Sequence, residues 1–287
     1  MSLMIVSAGA IATHNEDWAG SFQAPGRTDL VIIDGGTSVA DQDYIAPENG
    51  DIVWFVRRFA TALGACAEAG LDQHGAVHAA VDAVFREFGE RTAGRAVPQY
   101  AWPIAAMSWV RISGSDADQH LSLYCLGDCK VLLRDAAGTV IDLDPWLNPQ
   151  ETVLRTEIAR LQAEGVLDAA QRHARLLPLL RERRVYQNTV DNPAALCLQP
   201  RGAFAARTYE YSLAPGAAVL AMTDGFYRLV DTYGLHTNAS LFALCAEEGP
   251  DAALAALRLH EADASAASAS VKRADDASAI LWQATDC

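Results

Sequence analysis

The chain has 287 residues, 51% of them hydrophobic, with a formal net charge of −14 and a pI near 4.8. That length and apolar content suffice for a large core, and no run of about 18 apolar residues is present to span a bilayer. The acidic balance repels phosphate backbones and anionic membrane surfaces, so neither nucleic acid nor membrane is expected as a partner, whereas carboxylates gathered around cations suit it.

The N-terminal stretch "MSLMIVSAGAIATHNED" has no basic leader followed by a long apolar segment, so no signal peptide is expected and a cytoplasmic setting follows. Ser2 to Ala12 reads as a strand running into His14-Asn15-Glu16-Asp17, followed by a turn-rich stretch and a strand over Asp29–Asp34. Asp51–Ala69 and Gln73–Glu90 carry apolar positions at three- and four-residue steps and are predicted helices. Ile104–Ile112, Leu121–Leu126 and Lys130–Arg134 read as strands, then a turn at Asp135–Gly138 and a strand over Val140–Leu143. Pro149–Val185 is polar, rich in Arg and Glu, and helical. It interrupts the β pattern like an inserted subdomain. Tyr209–Leu213 and Ala217–Thr223 are strands around a turn, Leu241–Glu248 and Ala252–Ala264 helices, Ala262–Ser270 a loop and Ala277–Ala284 a last strand. Strands and helices thus come in blocks without strict alternation, which favours sheets covered by helices over a doubly wound parallel sheet.

The six cysteines, Cys66, Cys125, Cys129, Cys197, Cys245 and Cys287, form no Cys-x-x-Cys pair and read as small buried hydrophobes in a reducing compartment. More telling is that two core strands end alike, on Asp34-Gly35 and on Asp224-Gly225. One such pair is ordinary turn chemistry. Further acids stand at strand ends: Glu16 and Asp17, Asp128, and Asp275 with Asp276. Carboxylates converging on one rim of a sheet repel one another unless cations compensate them, and all-oxygen ligation suits Mg²⁺ or Mn²⁺ before zinc.

In order, "NED" (Asn15–Asp17), "DGG" (Asp34–Gly36), "LGDCKVLLRDAAG" (Leu126–Gly138), "MTDGF" (Met222–Phe226) and "DDASAIL" (Asp275–Leu281) span nearly the whole chain. This series resembles the metal-dependent type 2C Ser/Thr protein phosphatases, the PPM family, in a divergent bacterial form. The resemblance implies a single α+β domain over residues 1–287, a four-layer α-β-β-α sandwich of two antiparallel sheets flanked by helices, with a flap-like insertion at about 145–200. It implies two tightly bound Mn²⁺ or Mg²⁺ ions and a third, weaker one. Asp34 would bridge the two ions and the Gly35 carbonyl ligate one. Asp224 and Asp275 would hold one ion, Glu16 would act on the other, and Asp17 would support them. Asp128 would serve the third ion together with Asp224. The implied reaction is hydrolysis of a phosphomonoester, most naturally phosphoserine or phosphothreonine in a phosphorylated protein, by a metal-bridging hydroxide.

The sequence also departs from the family pattern. The arginine usual four residues before the motif glutamate is Ala12. His14, on the same face as Ala12 and Glu16 if this is a strand, is either a phosphate contact or general acid, or an exposed polar residue. Gly36 stands where many eukaryotic members have a histidine, "PIAAM" (Pro103–Met107) where a threonine pair is frequent, and Asp276 where asparagine is usual. Lys272 and Arg273 are candidates to offset Asp276 or to bind phosphate. Of the other signals, His74 and His78 at i, i+4 read as a surface face rather than zinc ligands, His173 as solvated, and Arg181–Arg184 ("RERR") as a run able to attract an acidic or phosphorylated partner or, as is commoner for such runs, a solvated helix end. Two functions are expected from this set: a metal-dependent phosphatase, or a phosphatase-like sensor or scaffold that binds metal or phosphoprotein without turnover.

Overall fold

A strand buried on both faces must be apolar at every position, and Ala218–Met222 is such a strand, with all five residues buried. The computed structural model describes residues 1–11, 13–115, 118–263 and 274–284, and in it this segment runs through the middle of one sheet. That sheet comprises β1 (Ser2–Ala8), β6 (Lys130–Arg134), β7 (Val140–Asp142), β10 (Ala218–Met222) and β11 (Ala277–Gln283), in the order β1-β11-β10-β6-β7. The second sheet is β2 (Asp17–Ala24), β3 (Arg27–Gly35), β4 (Ile104–Ser115), β5 (Asp118–Leu126) and β9 (Arg207–Leu213), in that order, with the short β8 (Leu196–Cys197) paired to β4. All these pairings are antiparallel.

The alternation of side chains along each strand builds three apolar layers. Leu30 and Ile32 of β3 face Val219 and Ala221 of β10 and Ile280 and Trp282 of β11 across the inter-sheet core. Their neighbours Val31 and Ile33 face outward, onto Ile52, Phe55, Phe59 and Leu63 of helix α1 (Asp51–Glu68) and Val77 and Val81 of α2 (Gln73–Thr92). On the far side Leu220 and Met222 meet Phe226 and Leu229 of α5 (Asp224–Asp231), Phe242 of α6 (Asn238–Glu248) and Leu257 of α7 (Pro250–Ala262). Helices, two antiparallel sheets and helices thus stack in four layers, as expected.

The 145–200 region forms a helix pair, α3 (Pro149–Ala163) and α4 (Ala169–Thr189), closed on a small core of Ile158, Leu161 and Leu176. Helix α4 is strapped to the body by side chains on one face. Arg181 reaches the Val39 carbonyl and Asp41, and Asn188 donates to the carbonyls of Gln99 and Trp102, each at 3.2 Å.

Two local expectations are corrected. Strand β1 ends at Ala8, and Ile11 and His14 pair in a turn, so His14 and Glu16 stand on a loop and share no strand face. The turn-rich stretch after Asp17 is β2, whose Trp18 and Phe22 stack at 5.9 Å and pack toward α1. Its glycine and small polar residues disguise it, because they carry little β propensity without these two rings. The residues after Asp224 are helical, with Thr223 at the N-cap position. The five described cysteines are unpaired, four of them buried, in agreement with their reading as core hydrophobes.

Candidate active site

Strand register brings the motif residues together. Asp17 opens β2 directly opposite Asp34 at the end of β3. The Gly35 amide donates to the Glu16 carbonyl at 3.2 Å. Across the inter-sheet core, Thr223 closes β10. Its amide donates to the Ser278 carbonyl at 3.0 Å, while its hydroxyl accepts from the Ser278 amide at 3.0 Å and donates to Asp17 Oδ2 at 2.9 Å. One buried threonine therefore links both sheets and sets Asp224 and Asp275 beside Asp34. Gly225 is required for this approach, because a β-carbon there would lie 1.9 Å from the Asp276 carbonyl oxygen.

Glu16, Asp17, Asp34, Asp128, Asp224, Asp275 and Asp276 line a single cavity of about 380 Å³. Asp17 is anchored by Thr223, and Asp276 and Asp128 have anchors of their own. Asp276 accepts from the amides of Ala10 at 2.7 Å and Glu16 at 2.6 Å, so two backbone donors supply the compensation its charge requires. Lys272 and Arg273, the expected source of that compensation, lie outside the described residues, as does Ala12. Asp128 accepts from the Asn148 side chain at 2.9 Å. The loop before it is held from behind by Arg207, which donates to the Gly127 carbonyl at 2.6 Å and pairs with the buried Asp144.

The electrostatics are those of a crowded acidic cluster. Desolvation, and then the neighbouring charges of Asp224 and Asp17, push the Asp34 carboxyl well above the usual carboxylate range. Burial, countered in part by Thr223 and Ser278, pushes Asp17 up to about 8. Either protons or cations must neutralise such a set. Among the described residues no three His, Cys, Asp or Glu side chains are already drawn up around one ion position. The donor set itself, carboxylates and carbonyls without a thiolate or imidazole on the cavity floor, fits hard divalent cations such as Mg²⁺ or Mn²⁺. Cys129 lies behind this floor, fully buried, and desolvation and the same aspartates hold its thiol protonated.

His14 lies beside the site and does not line the cavity. Its Nε2 is 3.4 Å from Glu16 Oε1. His74 and His78 stack with ring centroids 4.7 Å apart on α2, without contributing to the cavity. The correction with most consequence concerns "RERR". Arg184 is only 6% exposed, lines the cavity, and donates to the carbonyls of Gly36 at 3.1 Å and Thr37 at 3.0 Å. Arg183 and His173 line the same wall. A run of arginines on a helix carries no local signal for which of them turns inward, because the packing partner is about 150 residues away along the chain.

No protein-family model matches the chain, and no curated protein matches it in sequence. Solved structures do. The S. agalactiae serine/threonine phosphatase aligns over 98% of this chain and 98% of its own, with 13% identity and a TM-score of 0.56. The PPM Ser-Thr phosphatase MsPP from Mycobacterium smegmatis, in complex with cacodylate, aligns over 99% of each chain, with 14% identity and a TM-score of 0.54. The chain has the PPM phosphatase fold. RsbX in complex with magnesium also aligns, over 99% of this chain and 94% of its own, with 12% identity and a TM-score of 0.51. Within the PPM fold, the acidic cavity of this chain sits at the end of the sandwich where β2, β3, β10 and β11 meet.

Proposed function

We propose that the chain is a metal-dependent phosphomonoesterase acting on phosphoserine or phosphothreonine in a protein. The observation that carries this reading is the convergence of seven acidic residues from both sheets on one cavity within a PPM phosphatase fold. Asp34, the Gly35 carbonyl, Asp224 and Asp275 would hold two divalent ions, with Glu16 acting on one of them and Asp128 with Asp224 serving a weaker third. Bound there, such ions supply a nucleophilic water of lowered pKa and neutralise charge that develops on the phosphoryl group.

The protein's own groups prepare this chemistry. Thr223 holds Asp17 against the metal-facing end of β3. Asp276, which accepts from the Glu16 amide, holds the backbone of Glu16. His14, beside Glu16, orients that carboxylate or meets the phosphate at the cavity rim. Apolar Leu154, Ile158, Leu176 and Leu180 of the helix pair cover the cavity and restrict water.

Hydrolysis of p-nitrophenyl phosphate with Mn²⁺, compared with EDTA, tests the proposal. Turnover only with the metal is expected, and equal rates in EDTA would overturn the dinuclear assignment. Alanine at position 12 favours the second reading, a phosphatase-like protein that binds metal or phosphoprotein without turnover. Calorimetric Mn²⁺ binding with no detectable hydrolysis of phosphothreonine peptides would establish that reading instead.

A further inference from the structure

The acidic floor of the cavity leaves a phosphate dianion needing a positive partner besides the ions, and position 12 does not provide one. We propose that Arg184, brought in by α4, is the phosphate-binding cation of this site, in place of the arginine absent at position 12. The inference rests on the phosphatase reading for its substrate but on the structure for its residue.

Three observations support it. First, the guanidinium is placed beside the strand end that carries Asp34. A β-carbon on Gly36 would lie 2.9 Å from Ile104 Cγ1 and 3.3 Å from Arg184 Nη2, so Ile104 and the arginine head together fill the room that a side chain at Gly36 would take. Second, this buried cation is held by neutral groups. Its Nη2 is shared between two carbonyls, its Nε has no hydrogen-bond partner among the described residues, and Glu16 is the carboxylate whose field reaches it. A buried charge without an ion-pair partner is costly, and a bound anion is what would compensate it. Third, the position is built. Arg181 and Asn188, three residues before and four after, anchor the same helix face to the body.

The role must be electrostatic. Burial lowers the Arg184 pKa to about 10, which leaves the group charged at neutral pH and far from the pKa that suits a general acid there. A planar guanidinium instead offers fixed donors to the non-bridging phosphate oxygens, an arrangement suited to bidentate, charge-assisted bonds. Because α4 carries it, phosphate binding would depend on the docking of the helix pair.

The test is calorimetric binding of inorganic phosphate to the full chain loaded with Mn²⁺, together with kcat and KM for p-nitrophenyl phosphate. Arg184→Gln keeps a donor for the Gly36 and Thr37 carbonyls and removes the charge. It is expected to bind Mn²⁺ normally, to bind phosphate roughly ten- to a hundred-fold more weakly, and to regain part of the lost rate on addition of guanidinium ion. Arg175→Ala, at an exposed position of α4 outside the cavity, is expected to match wild type. A folded Arg184→Gln with phosphate affinity within two-fold of wild type overturns the proposal. Should that variant not fold, Arg184→Lys decides: a point charge in place of the fork should weaken phosphate binding several-fold, and equality with wild type overturns the proposal. Wild type that binds Mn²⁺ and phosphate but hydrolyses nothing, with binding lost in Arg184→Gln, upholds Arg184 and removes the phosphatase reading. Wild-type turnover with Arg184→Gln unchanged in kcat, KM and phosphate affinity removes Arg184 alone.

Discussion

Asp34 and Asp17 show how a carboxylate can be stable in the wrong protonation state for its task. Desolvation raises both above the ordinary value, Asp17 to about 8. In the unfolded chain they would titrate near 3.9. Between these limits the folded, metal-free protein holds more protons than the unfolded one, so its stability is greatest at the acid end and falls as pH rises toward 8. The melting temperature in EDTA is therefore expected to decline between about pH 5 and 8, and Asp17→Asn to flatten that decline. A flat wild-type profile would contradict the burial argument. Because cation binding needs the carboxylates deprotonated, Mn²⁺ binding should release protons, detectable as a buffer-dependent binding enthalpy. At the same scale, Asp34→Asn and Asp224→Asn are each expected to abolish turnover without lowering apo stability, since each removes a charge from a mutually repelling set. A variant of either kind with near wild-type activity would show the assignment to be wrong. Asp128→Ala, at the Asn148-held edge of the cavity, should lower the rate while two tight Mn²⁺ remain on titration.

The elements matter chiefly at their junctions. Gly225 lets the first turn of α5 lie against the backbone at Asp276, where a β-carbon would sit 1.9 Å from the carbonyl oxygen. Gly225→Ala must displace one of the two segments, and both carry a proposed metal ligand. A fall of at least a hundred-fold in kcat/KM is expected, with loss of one tight Mn²⁺, while far-ultraviolet circular dichroism stays native. Retained metal stoichiometry would argue against the shared junction. In the other sheet, on β3, the dominant device is different. Asp29 on β3 is fully buried and accepts from Trp109 Nε1 at 2.8 Å and Arg111 Nε at 2.7 Å. Breaking such a pair leaves a buried cation uncompensated, so Asp29→Ala is expected to cost about 3–5 kcal/mol in denaturant unfolding. Metal binding in the fraction still folded should be unchanged.

At the scale of the whole molecule, the cavity floor draws on both sheets, with β2 and β3 from one and the ends of β10 and β11 from the other. Cations bound only by the folded chain should therefore hold the sandwich together, by about 2.7 kcal/mol at a hundred times the dissociation constant. An Mn²⁺-dependent rise in melting temperature at pH 7.5, absent in Asp34→Asn, is the expected result. The sequence by itself determined the parts whose signal is local. Every residue of β10 is apolar because both of its faces are buried, α1 and α2 carry the period of a one-sided helix, and Asp-Gly pairs mark where core strands stop. It also made the acidic set legible, since strand ends of one sandwich must collect at its rims. Only the tertiary structure decided which flanking residues serve that rim. His14 left the expected strand face because the chain turns between Ile11 and His14. Asp276 found its compensation in two backbone amides, which no sequence pattern displays. Arg184, one of several like arginines on a polar helix, became a buried cation because α4 docks onto residues 36 and 37. The physical reason is the same each time: periodicity and turn chemistry are properties of neighbours along the chain, whereas the field around a charge is set by groups that only folding brings within a few ångströms.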